Sequence, residues 1–284
     1  MALFGNLFLS VGAMKAGTTW LYAMLSRHPE LHFSPEKEIH YFYHRYVNNN
    51  QLSSARRLTE ARNRYLLRFD PEKANIDQIR RNLRWINSYL DSPVDDFWYR
   101  NLFQMQNRQR FACDFSNLNT HLPAEAWSNI AGKCDTLKVL YTMRDPVKRL
   151  WSHTKFHLQV SGKLDSLNTW GPKEYKQFLR QPHIWDNAEY GVVLRRLKTA
   201  LPSDSLKIIF YEDIHNDQAK ALAGIEDFLG VANHAYPDAL LKMRFTESVK
   251  HEMPDFFPDL VAGDVARIKT EVGEAGHKIP DNWL

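Results

Sequence analysis

Short apolar runs alternate with amphipathic stretches along most of this chain. Leu7–Val11 (Leu-Phe-Leu-Ser-Val) is apolar nearly throughout and runs into a glycine, as a strand buried on both faces of a parallel sheet does. Beyond it, Trp20, Leu21, Met24 and Leu25 fall at helical spacing and predict a helix over Thr19–Arg27, stopped by His28-Pro29. Leu31–Phe33 and Arg110–Phe115 predict a second and a third strand. Leu137–Met143 predicts a fourth, followed by Arg144-Asp145-Pro146 and a helix through Trp151, Thr154 and Leu158. Leu206–Tyr211 predicts a fifth strand, and Asp217–Leu229 an amphipathic helix ending at Gly230. Strands alternating with helices predict an α/β fold whose central parallel sheet is flanked by helices on both faces. Between 46 and 108 the rhythm breaks into a segment rich in Arg, Asn and Trp, which reads as a helical insertion. With no repeat and no linker, residues 1–284 are expected to form a single domain.

Composition narrows the class without naming it. The 284 residues are 44% hydrophobic and 25% charged, which fits a packed α/β domain and argues against disorder. The net charge of +4 gives no reason to expect a nucleic-acid partner, but it suits a basic cleft for a small anion. Cys113 and Cys134 are the only cysteines, so no disulfide framework is implied. The apolar N-terminus has no basic leader, and no run reaches the roughly 18 apolar residues of a membrane span. A cytoplasmic protein with no membrane partner is expected.

The chemistry starts at Gly12-Ala13-Met14-Lys15-Ala16-Gly17-Thr18-Thr19-Trp20. A strand, a glycine-containing turn and a helix start make an anion site, because backbone N–H groups point outward and the helix dipole adds positive potential. Lys15 adds a mobile charge, and Thr18 and Thr19 add hydroxyls. The generic triphosphate loop, Gly-x-x-x-x-Gly-Lys-[Ser/Thr], needs a lysine directly after its second glycine. Thr18 stands there instead, the lysine lies two residues before Gly17, and no acidic strand end for magnesium is evident.

Lys15-Ala16-Gly17-Thr18-Thr19-Trp20-Leu21 closely resembles the loop with which the sulfotransferase superfamily binds the 5'-phosphosulfate of 3'-phosphoadenosine 5'-phosphosulfate (PAPS). The segment Leu140–Ser152 resembles the same family's 3'-phosphate element, with Arg144 at a strand end and Ser152 within the next helix. In that resemblance Lys15, Ala16, Gly17, Thr18, Thr19, Trp20, Arg144 and Ser152 hold the donor, and Ser248 and Lys250 belong to a basic loop that closes over it. Arg149 is equally readable as a ligand contact or as a structural charge. The family resemblance implies a P-loop-like nucleotide fold, PAPS as co-substrate with PAP as product, and no metal.

Two residues compete for the role of base. Pro35-Glu36-Lys37-Glu38-Ile39-His40-Tyr41-Phe42 is similar to a segment of the Golgi-type carbohydrate branch, in which the second glutamate is the base and the histidine sits beside it. Carried over by position, these are Glu38 and His40. Asn119-Thr120-His121-Leu122-Pro123 resembles the Thr-His-Leu-Pro of the cytosolic branch, whose histidine is the base, and a histidine's ordinary pKa suits that work. Glu38 is preferred. The Golgi-type branch often carries a catalytic lysine on its third strand. Here Phe115 stands in its place within Asp114-Phe115-Ser116-Asn117, and Lys37 is the available substitute.

The resemblance implies sulfuryl transfer to a hydroxyl of a carbohydrate or small-molecule acceptor. Trp85, Tyr89, Trp98 and Tyr99, with Arg56, Arg57, Arg62, Arg64, Arg80, Arg81 and Arg84, fit either an acceptor surface or the insertion's own core and solvated face. Exposed tryptophans there would permit a homodimer. A nucleoside-kinase-like phosphotransferase and a non-catalytic nucleotide- or polyanion-binding module are the alternatives.

Overall fold

The structure, a computed structural model, describes residues 2–66, 72, 75–245 and 249–284. Strands β1 (Phe4–Ser10), β2 (Leu31–Phe33), β3 (Phe111–Phe115), β4 (Cys134–Met143) and β5 (Leu206–Phe210) form one sheet, ordered β2-β3-β1-β4-β5. Every pairing is parallel. Side chains alternate between two cores. Leu7 and Leu9 of β1, with Leu137, Val139, Tyr141 and Met143 of β4, enter one. Phe8, Leu140 and the β3 residues Phe111, Cys113 and Phe115 enter the other. Burial on both faces is why these strands read as continuous apolar runs.

In chain order the helices are α1 (Thr18–Leu25), α2 (Tyr41–Tyr46), α3 (Ser54–Ala61), α4 (Ile76–Leu90), α5 (Asp96–Asn101), α6 (Ala124–Ala131), α7 (Pro146–Val160) and α8 (Ser166–Thr169). They continue with α9 (Pro172–Leu179), α10 (Pro182–Trp185), α11 (Tyr190–Ala200), α12 (Tyr211–Asn216), α13 (Gln218–Leu229), α14 (Asp238–Leu241) and α15 (Ala262–Glu274). Leu21, Met24 and Leu25 of α1 pack with Leu222, Ile225 and Leu229 of α13 against the Phe8 face. Helices α4, α5, α6, α7, α11 and α15 all contribute to the core on the opposite face. The first and fourth strands start earlier than their apolar runs predict, because Phe4 pairs with Cys134 and carries the ladder through polar positions.

The described residues between β2 and β3 form several helices, as the composition predicts, and their aromatic side chains pack together. Trp85 stacks on Tyr89 with ring centroids 4.8 Å apart, and Tyr99 stacks on Tyr41 at 4.6 Å. Trp85 and Trp98 are 1% and 3% exposed, which corrects the expectation of exposed tryptophans there and removes the basis given for a homodimer. Arg57 is buried and donates to the carbonyls of Leu52, Tyr89 and Asp91 at 3.1, 2.6 and 2.7 Å. Arg80, Arg81 and Arg84 lie on the exposed side of α4. Among the described residues no helix is long and apolar enough to cross a membrane.

Candidate active site

The strand order fixes where the site lies. From β1 the chain crosses β3 to reach β2, and from β4 it goes the other way to β5. The loops leaving β1 and β4 therefore diverge over the boundary between them, the crevice where open parallel sheets take ligands. Val11 N donates to Leu140 O at 3.0 Å, Ala13 N to Thr142 O at 2.7 Å, and Thr142 N to Gly12 O at 2.8 Å, so the two loops begin side by side.

The first loop has the backbone its glycines predict. Gly17, with φ 85°, is the N-cap of α1, and Lys15 also adopts a positive φ of 69°. A Cβ on Gly17 would stand 2.8 Å from Cδ2 of Tyr211, so only glycine lets the turn lie against that ring. Ala16 is fully buried. Trp20 donates from Nε1 to Leu241 O at 3.1 Å and ties α1 to the chain beyond α13.

Cations converge on this loop. Arg144, the first residue after β4, donates from Nη1 to Lys15 O at 3.1 Å. Its guanidinium lies 4.3 Å from the Tyr211 ring centre, and its Nε is buried with no partner among the described residues. Lys15 Nζ sits 4.5 Å above the Phe156 ring of α7. Burial lowers the pKa of Lys15, and Arg144, Lys155 and Lys37 lower it further. Asp145 N-caps α7 through Lys148 N at 3.0 Å, which sets that helix against the loop. Ser152, part-exposed, lies one turn before Phe156 on the same helix, on the side of Lys155. Lys155 Nζ donates to Val249 O at 2.8 Å, so the segment after residue 248 is moored beside the loop.

Glu38 is joined to the same place. Lys37 Nζ lies 2.5 Å from Glu38 Oε1 and 3.4 Å from Thr18 Oγ1 at the start of α1. The other carboxylate oxygen, Oε2, accepts the Asn117 N–H at 2.9 Å and lies 3.7 Å from His40 Nε2. The Glu38 side chain keeps 25% of its surface open. His40 has a left-handed backbone, φ 59°, and its N–H donates to Ser116 Oγ at 2.9 Å. Burial lowers the pKa of His40.

His121 ends the 3₁₀ turn Asn117–His121 that Asn117 begins. Its ring packs edge-on to Tyr43 with centroids 6.2 Å apart, and burial lowers its pKa. No contact among the described residues ties it to the loop as Lys37 ties Glu38. Lys250 is exposed, and Ser248 lies outside the described residues. Arg149 resolves as a structural charge. It is fully buried, its Nη1 is 3.2 Å from His153 Nδ1, and its Nη2 donates to Ile184 O at 3.4 Å. Phe115 points into the core on the α1 side at 1% exposure, so Lys37 is the lysine beside Glu38.

Sequence reading missed Lys155, Phe156 and Tyr211. The first two were within reach, standing three and four residues beyond Ser152 on one helix. Tyr211 carries no local signal, because only the closure of β5 onto β4 brings it under Gly17.

A parallel α/β sheet with an anion loop and clustered cations at its switch point defines a protein that handles a phosphate- or sulfate-bearing group. The Sulfotransferase family model matches residues 8–235, and the chain belongs to that family. No curated protein matches it. Among solved structures it is similar to a sulfotransferase from Alicyclobacillus acidocaldarius, with 20% identity over 98% of both chains and a TM-score of 0.64. It is similar to the sulfotransferase domain of the Synechococcus PCC 7002 olefin synthase, with 19% identity over 97% of this chain and 96% of that one, at a TM-score of 0.54. The sulfotransferase domain of the curacin biosynthetic pathway gives 16% identity over 99% and 100% of the two chains, also at 0.54. At these identities the likeness is one of fold. The protein is a sulfotransferase with a P-loop-like α/β architecture.

Proposed function

We propose that this sulfotransferase takes its sulfuryl group from PAPS and passes it to a hydroxyl acceptor deprotonated by Glu38. The convergence of Lys15, Arg144, Lys155 and Lys37 on one loop carries the reading. Among the described residues, Lys37 alone of the four has a carboxylate beside it, Glu38. Such a cluster calls for a polyanion, and the unpartnered Nε of Arg144 is a donor still to be satisfied. Bound PAPS supplies a sulfur open to in-line attack and a phosphate leaving group.

Lys15 to Trp20 hold the phosphosulfate, with the N–H groups and hydroxyls of Thr18 and Thr19 at the N-terminus of α1. Arg144 and Ser152 take the 3'-phosphate, Lys250 follows the residue moored by Lys155, and Ser248 is proposed as a further donor contact. Thr18 Oγ1 accepts from Lys37 and so keeps its own proton to donate. Glu38 retains free lone pairs beyond those used by Lys37 and Asn117, and takes the acceptor's proton as oxygen attacks sulfur. Lys15, Lys37 and the α1 terminus neutralise charge on the departing phosphate oxygen. His40 stands beside the base. His121 is the competing base, and the link through Lys37 favours Glu38 over it. The acceptor is a carbohydrate or small-molecule hydroxyl compound, and residues 46–108 form the helical insertion on the acceptor side of a single domain.

Calorimetric titration with PAP and, separately, with ATP and magnesium tests the donor. PAP is expected to bind at least tenfold tighter (about 1.4 kcal/mol). Tighter binding of ATP with magnesium would overturn the reading.

A further inference from the structure

We infer that Asp114 is a positioning residue for sulfuryl transfer: acting through Ser116, it fixes the left-handed turn at His40 and, with it, the carboxylate of Glu38. The inference rests on the proposal that Glu38 is the base.

Asp114 lies on β3 at 1% exposure. A buried carboxylate needs hydroxyl or N–H donors, and two hydroxyls supply them. Tyr99 OH donates to Oδ2 at 2.9 Å, and Ser116 Oγ–H donates to Oδ1 at 2.7 Å. A serine hydroxyl has a single proton. With that proton directed to Asp114, the Ser116 oxygen faces His40 as an acceptor, and His40 N–H donates to it at 2.9 Å.

This bond falls where the backbone needs support. The left-handed conformation costs a non-glycine residue about 1–2 kcal/mol and persists only where its surroundings hold it. His40 adopts it with φ 59°, two residues after Glu38. Asn117, which follows Ser116, donates its N–H to Glu38 Oε2. Oε2 of the base thus faces both Asn117, at 2.9 Å, and His40, at 3.7 Å, and both depend on the strand end that Asp114 anchors.

The groups facing Asp114 are Tyr22 from α1, Tyr99 from α5, Lys37 and Glu38 from the segment before α2, Cys113 from its own strand and Ser116 just beyond the strand end. Burial raises the Asp114 pKa to about 7. Its ionisation, and with it the direction of the Ser116 proton, therefore changes near neutral pH.

Single-turnover release of labelled sulfate from PAPS, with water as acceptor and enzyme in excess, reads the saturated rate and the half-saturating enzyme concentration separately. Asp114→Asn and Ser116→Ala are each expected to slow the saturated rate about tenfold or more while half-saturation stays within about twofold. Asp114→Asn is also expected to lose the step near pH 7, and Ser116→Thr to restore most of the rate. PAP affinity within about twofold of wild type marks a variant as folded. If Asp114→Asn does not fold, the two Ser116 variants decide. Glu38→Gln is measured alongside. If it is slow while Asp114→Asn and Ser116→Ala keep the wild-type rate and pH profile, the inference alone is overturned. If Glu38→Gln keeps the wild-type rate, the base assignment beneath it is overturned.

Discussion

The Lys37 ammonium lies 2.5 Å from Oε1 of Glu38 and reaches Thr18 Oγ1 at 3.4 Å, so one side chain spans the carboxylate and the N-terminus of α1. The pair is part-buried, with both side chains keeping about a fifth of their surface in solvent. Its consequence is geometric. Lys37→Ala is expected to lower the rate of PAP release from PAPS about tenfold or more and to leave the melting temperature nearly unchanged. A loss of stability with an unchanged rate would make Lys37 a structural residue.

With Lys15 in the proposed phosphate site, donor binding is expected to depend on pH. Burial and three neighbouring cations lower its pKa in the free protein, and a bound polyanion raises it again. Binding therefore takes up a proton where the free lysine has lost one. PAP affinity is fully present below the free-state pKa and falls as pH rises through it toward the bound value. Calorimetry from pH 7 to pH 10 is expected to show this fall in the wild type and a flatter profile in Lys15→Ala. Equal slopes would remove Lys15 from the phosphate site.

Gly17 is held by both conformation and contact. A substituted Cβ would meet Tyr211 at 2.8 Å in a backbone with φ 85°. Gly17→Ala is expected to cost about 1–2 kcal/mol of stability from the left-handed backbone alone. It should also weaken PAP binding by displacing the turn from the ring. Adding Tyr211→Ala should recover part of the stability, as thermal melts of the single and double variants will show.

Asp114 gives stability a slope of definite sign. Its pKa is raised from 3.8 to about 7, so between those values the native state keeps a proton that the unfolded chain has released. Stability contributed by this group falls as pH rises through that window and is level above it, by at most about 4 kcal/mol. Asp114→Asn lacks the slope. Its melting temperature relative to wild type is expected to be higher at pH 8 than at pH 5, and the reverse ordering would contradict the burial argument.

The sheet was legible because strands buried on both faces leave continuous apolar runs, and all five stand where those runs lie. Strand ends were less legible. Cys134-Asp135-Thr136 is polar, yet it belongs to β4 because β1 runs beside it. The placement of the loop at Lys15 and of Arg144 was also readable, since each follows a strand. The role of Trp85 and Trp98 was open in the sequence, because an aromatic residue in an insertion serves a core and a binding face with the same pattern. Asp114 and Ser116 drew notice only for the lysine missing between them. Their link to His40 spans 76 positions along the chain, and no local pattern carries it.

The central claim is that Glu38 takes a proton from an acceptor held opposite the PAPS loop. Transfer of labelled sulfate from PAPS to a panel of sugars, polysaccharides and phenols, measured for the wild type, Glu38→Gln and His121→Gln, tests it most directly. The wild type is expected to transfer sulfate to at least one hydroxyl acceptor, Glu38→Gln to lose about 100-fold or more, and His121→Gln to lose much less. Transfer that survives in Glu38→Gln and disappears in His121→Gln would contradict it.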